Sequence, residues 1–154
     1  MKKFEFTMHK LLDLRNTVLD EEKNRLGQLQ AAVRVLEEQL ARLEEARRAL
    51  EQEMLAAQAE GITIAELLGY NARKNNVHMQ IKEIEQRLAE ARKKADEQMQ
   101  RVVEASREVS KLEKVEERQY ENYRDMVKKA DAALIEELVV THTSYRRLEP
   151  EPAR

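Results

Sequence analysis

The chain has 154 residues, of which 38% are charged and 4% aromatic, with three Gly, two Pro and no Cys. Heavy use of Ala, Glu, Lys, Leu and Arg in a helical period marks a long helix or coiled coil, and so few rings leave burial to a narrow seam. The net charge of −2 is spread as 10 basic and 12 acidic side chains over residues 1–60 and 18 of each beyond. That distribution offers no basic arm for nucleic acid, and the lack of Cys excludes a disulfide framework and thiolate metal sites while fitting the cytoplasm.

The first segment, Phe4 to Leu14, is more apolar and more aromatic than the residues after it. Phe4, Met8, Leu11 and Arg15 fall on one helical stripe, with Leu12 beside it. Met1-Lys2-Lys3-Phe4 is basic, but Asp13, Arg15 and Asn16 interrupt the apolar run that a signal peptide would need. No run reaches the ~18 apolar residues of a membrane span. Two readings of this tip stand. It is the end of a coiled coil sealed by two rings, or an exposed apolar tip that docks on a partner.

From Leu19 the spacing alternates strictly between three and four: Leu19, Glu22, Leu26, Leu29, Val33, Leu36, Leu40, Leu43, Arg47, Leu50 and Met54. This is a coiled-coil seam with a left-handed supercoil. Glu22 and Arg47 interrupt it, and long charged side chains there are expected to snorkel outward. Gly27 costs roughly 1 kcal/mol against Ala inside a helix and falls beside the seam, where it permits close backbone approach.

The seam stops at Ala59-Glu60-Gly61-Ile62-Thr63-Ile64-Ala65-Glu66. Gly61 suits the left-handed position past a helix end. Thr63 and Glu66 form a T-x-x-E capping box that starts a second helix. The spacing therefore predicts a first coiled-coil helix over 1–58, a turn over 59–63 and a second helix over 64–148. Gly69, Asn71, Asn75 and Asn76 are weak helix formers, so Ile64–Gly69 is either the start of the second helix or a separate short turn. The heptad then resumes from Val77 through Ile81, Ile84, Leu88, Ala91, Ala95, Gln98, Val102, Ala105, Val109, Leu112, Glu116, Gln119, Tyr123 and Met126 to Ala133. Pro150 and Pro152 end the helix, leaving 149–154 as a disordered tail.

The fold class expected is all-α, a long two-helix antiparallel coiled-coil hairpin with an overhanging C-terminal helix. Folding about Gly61 pairs residue i with roughly 122−i, so Leu43 meets the region of Met79 and Leu19 that of Val103. The first helix then runs out near Gln119. Tyr120–Leu148 is left unpaired although it carries Tyr123, Met126, Val127, Leu134, Ile135, Leu138, Val139 and Val140. A lone amphipathic helix with that much apolar surface needs a partner.

Catalytic signatures are missing. There is no phosphate-binding glycine loop and no nucleophile elbow. His9, His78 and His142 are isolated, and adjacent carboxylates such as Glu37/Glu38 read as solvated. No enzyme activity, cofactor or metal is expected. Recognition through helix faces is the mechanism on offer.

The opening Phe4-x-Phe6, with Lys10-Leu11-Leu12-Asp13-Leu14-Arg15, resembles the N-terminus of the flagellar FliJ family. The stretch Val115-Glu116-Glu117-Arg118-Gln119-Tyr120-Glu121-Asn122-Tyr123 is similar too, and the likeness runs to about Leu138. The resemblance implies a soluble component of the flagellar type III protein-export apparatus, an antiparallel coiled coil similar to the central stalk of rotary ATPases. It implies three partners: the export ATPase hexamer, the cytoplasmic domain of the export gate, and substrate chaperones. Location would be cytoplasmic, peripheral at the inner face of the cell membrane through those partners, with no nucleic acid bound. The ring-facing candidates are Phe4, Phe6, Met8, Leu11, Tyr123, Met126, Leu134 and Leu138. By position, the resemblance places gate-facing candidates at Gln39, Leu43, Ala46, Leu50, Tyr70, Arg73, Val77, Gln80 and Ile84. Members of the family can carry aromatics where this chain has Ala46, Leu50 and Arg73, and Leu43, Leu50, Val77 and Ile84 also belong to the seam. The alternative function is a structural coiled coil that self-associates through its C-terminal helix.

Overall fold

A computed structural model describes residues 2–148, with Leu148 described by its backbone alone. The expected tail over 149–154 lies outside the described residues. Two long helices pack against each other as a hairpin: α1 (His9–Glu60) and α2 (Ile64–Leu148). By contact density the chain divides into two units. One holds the residues up to Asn16 together with those from Arg107, and the other is Thr17–Ser106.

In the Thr17–Ser106 unit, Gly61 ends α1 at φ +92°. Its amide donates to the Gln58 carbonyl at 3.2 Å, which ties off one of the last orphan acceptors. Thr63 Oγ1 then accepts from the Glu66 amide at 3.2 Å and caps α2. The α2 helix continues without a break through Gly69 and the asparagines, so Ile64–Gly69 is its start and not a separate piece. Leu19, Leu50, Ile81 and Leu88 are buried, and the intervening heptad positions are half-buried. Gly27 is exposed, and a Cβ built there meets nothing within 4 Å, so it permits no close approach. Glu37–Arg92 (2.9 Å), Glu51–Lys74 (4.0 Å) and Glu53–Arg73 (3.8 Å) flank the seam. Met79 itself is 70% exposed; Leu43 shares a groove with Gln80 and Ile84. The fold-back centre sits a little beyond Gly61 because α1 runs through Glu60 rather than stopping near Gln58.

In the other unit, the chain before His9 is not helical. Its burial alternates: Phe4 half-buried, Glu5 exposed, Phe6 buried, Thr7 exposed, Met8 half-buried. A helix would set Phe4 and Phe6 about 200° apart, whereas an extended chain puts them on one side. The extended strap therefore lays both rings against the protein. A turn comes next, with the His9 amide donating to the Phe6 carbonyl at 3.2 Å. Leu12 and Val109 are buried deeper in this unit. The strap packs Phe4 against Tyr120 and Tyr123, so α2 is not without a partner from Tyr120 as its sequence suggested, although Tyr120 stays exposed. No separate overhanging helix exists; the C-terminal stretch is the unbroken continuation of α2. The seam also changes phase earlier than expected. Val127 is half-buried, and Met126 is 67% exposed.

Candidate partner-binding surfaces

This placement creates two surfaces. The first lies in the Thr17–Ser106 unit, where the apolar side chains Leu43 and Ile84 meet across the seam. Gln39 and Arg42 from α1, and Gln80 and Glu83 from α2, rim them. The result is an open groove of about 330 Å³ with an apolar floor and a polar, oppositely charged rim. Rims of this kind set orientation while the floor supplies burial.

Of the nine gate-facing candidates, the structure brings Gln39, Leu43, Gln80 and Ile84 into this groove. Leu50 is buried and Val77 half-buried in the seam, where they hold the helices together. Ala46 is exposed. Arg73 lies over the Tyr70 ring, 5.8 Å from guanidinium carbon to centroid, and also pairs with Glu53. Sequence reasoning missed Arg42 and Glu83. Each directly precedes a seam residue, which is where coiled coils carry their flanking charges.

The second surface is in the unit that contains both chain ends. Phe4 packs edge-on to Tyr120 (centroids 5.2 Å, 73°) and tilted against Tyr123 (5.5 Å, 46°). Tyr120 and Tyr123 are 6.5 Å apart. The Tyr123 hydroxyl donates to the Lys2 carbonyl at 3.0 Å, and Thr7 Oγ1 and the Gln119 side chain lie 3.5 Å apart. Aromatic pairs in this geometry each contribute roughly 0.5–1.5 kcal/mol beyond their area. The tip is thus sealed by its own rings. Phe6 is buried and Phe4, Met8 and Tyr123 are half-buried, so of the candidates near the tip only Leu11 and Met126 count as exposed.

Past this clasp every described side chain from Lys128 to Arg147 is exposed. Leu134, Ile135, Leu138, Val139, Val140 and Tyr145 are each between 58% and 70% exposed. Thr141, Thr143 and Ser144 donate their hydroxyls to carbonyls four residues back, which removes them as donors to a partner. Ring-facing candidates Leu134 and Leu138 lie in this stripe. Tyr145 was missed, although it falls one heptad beyond Leu138 and the period alone could have found it.

Two polar residues inside the seam behave differently from each other. Glu22 does not snorkel: its carboxylate and its main-chain carbonyl both accept from Gln98 Nε2, the carbonyl at 3.0 Å. Arg47 is half-buried, and its Nε is buried without a hydrogen-bond partner, a donor left at a desolvation cost. Elsewhere, the Lys111 ammonium 2.9 Å from Glu108 holds that carboxyl below its ordinary range, first through the hydrogen bond and then through charge. Among the described residues no helix is long and apolar enough to cross a membrane, and no cluster of three or more His, Asp or Glu could hold a metal ion.

The sequence model of the family described as flagellar FliJ protein matches residues 4–148. No curated protein and no solved structure matches the chain significantly.

Proposed function

This chain belongs to the flagellar FliJ family, non-catalytic components of the flagellar type III export apparatus, and from that premise we propose that it acts as a stalk in the export machinery. The unpaired end of α2 enters the export ATPase ring together with the aromatic clasp, and the groove over Leu43 and Ile84 takes the cytoplasmic domain of the export gate. Chaperone escort results from holding both at once. The protein works in the cytoplasm and reaches the inner face of the membrane only through the gate.

The observation that carries this reading is the exposed stripe of Leu134, Ile135, Leu138, Val139 and Tyr145; Val140, also exposed, stands on the opposite side of the helix. Water is a poor neighbour for five such side chains on one face, and each of the four aliphatic ones is worth about 1.5–3 kcal/mol when fully buried against a partner. Removal of Leu134–Arg154 is expected to abolish stimulation of the export ATPase, measured as phosphate release with and without the protein. Full stimulation by the truncated protein would rule out the stalk role for this segment.

The same stripe also suits self-association, with two copies of the segment covering each other. Sedimentation over a range of concentrations separates the readings. A tight dimer at nanomolar concentration favours self-association, and a monomer favours the ring.

A further inference from the structure

We infer that Glu22 and Gln98 act as a register pin: of the antiparallel phases open to the two helices, only one pairs these two polar side chains with each other. Gln98 is 6% exposed and the Glu22 side chain 18%. They sit among seam positions that are otherwise apolar nearby: Leu26 and Leu29 on α1, Ala95 and Val102 on α2. Both acceptors of the Gln98 amide belong to one residue, the Glu22 carbonyl and the Glu22 carboxylate. A buried amide or carboxylate without such a partner carries a desolvation penalty that burial does not offset.

The pin discriminates because slipped phases leave it empty. Sliding the helices by one heptad sets Glu22 against Ala91 or Ala105, and Gln98 against Leu29 or Arg15. The Glu22 carboxylate then faces a methyl group across the seam, whichever way the slip goes, and keeps only Arg25 of its own helix, 3.8 Å away. A parallel pairing of two copies sets Glu22 beside Glu22, two like charges in one seam. The small residues Ala91, Ala95 and Ala105 discriminate weakly among phases by shape. Single polar residues at seam positions select register in other coiled coils at a cost in stability.

The test is a measurement of register that requires no partner protein. The chain has no Cys, so nitroxide labels attach only at the exposed positions of K23C/R101C. In that background a single narrow interlabel distance is expected from pulsed dipolar spectroscopy. Adding E22L/Q98L should keep or raise the melting midpoint and yet produce a second distance, from an axial slip of about 10 Å per heptad. The exchanged pair E22Q/Q98E restores a polar contact and should return the distribution to one narrow peak. A single distance in E22L/Q98L overturns the inference. A second distance that persists in E22Q/Q98E also overturns it, since the disturbance would then come from repacking and not from the polar contact.

Discussion

Gly27 and Gly69 are helix-interior glycines whose added Cβ would meet nothing within 4 Å. Nothing in the packing requires either of them, so helix propensity decides the outcome. G27A and G69A should each raise stability by roughly 0.5–1 kcal/mol, read as a shift in the urea midpoint at constant slope. Gly61 is the opposite case, because its φ of +92° is one that L side chains rarely adopt. G61A should lower stability by about 1 kcal/mol or more in the same assay. The special status of Gly61 and the cap at Thr63 were both legible in the sequence, since turn chemistry is local. The inward path of Glu22 was not. Whether a long acid in a seam turns out to water or in to a partner depends on what stands opposite, here Gln98, which is 76 residues away.

At the scale of elements, every heptad position from Leu19 to Met54 on α1 and from Val77 to Tyr123 on α2 is buried or half-buried. Period alone places a face when both partners are continuous helices. It failed at the strap, where Phe4-Glu5-Phe6-Thr7-Met8 carries a period of two that a helical reading overrides. That alternation was the available signal. The phase shift from Met126 to Val127 falls where the strap ends and no seam partner constrains α2. Phe6, 8% exposed, anchors the strap more than Phe4 does. F6A should release residues 2–8, seen as loss of hydrogen-exchange protection at the His9 amide. The global stability cost should be below the 3–5 kcal/mol of a core Phe→Ala change, because a chain end can fray without unfolding the helices.

For the whole molecule, the two candidate surfaces lie in different units and share no residue. They should therefore be separable by mutation. Q80R places a bulky cation at the groove rim, on an exposed position that the seam does not use. It is expected to weaken binding of the gate's cytoplasmic domain by about tenfold, near 1.4 kcal/mol, while leaving ATPase stimulation unchanged. Calorimetric titration and phosphate release, run on one preparation, check both halves. All-α architecture, hairpin topology and the apolar excess of the last α2 turns could be read from the sequence. The groove could be read only in part. Its floor came from the heptad, and Arg42 and Glu83 stand at the flanking positions beside it, but that these two flanks rim one groove depends on the three-dimensional register.

The strap carries a further consequence, optical in nature. The protein has four tyrosines and no tryptophan, and two of the four sit under Phe4, one of them with its hydroxyl bonded to the Lys2 carbonyl. Half of the native fluorophores therefore report on a single seven-residue segment, with no indole emission to mask them. Lifting that segment, whether by F6A or by a ring closing around it, would change ultraviolet emission and near-ultraviolet dichroism without any attached dye. The chain thus carries its own indicator of whether its N-terminus is seated.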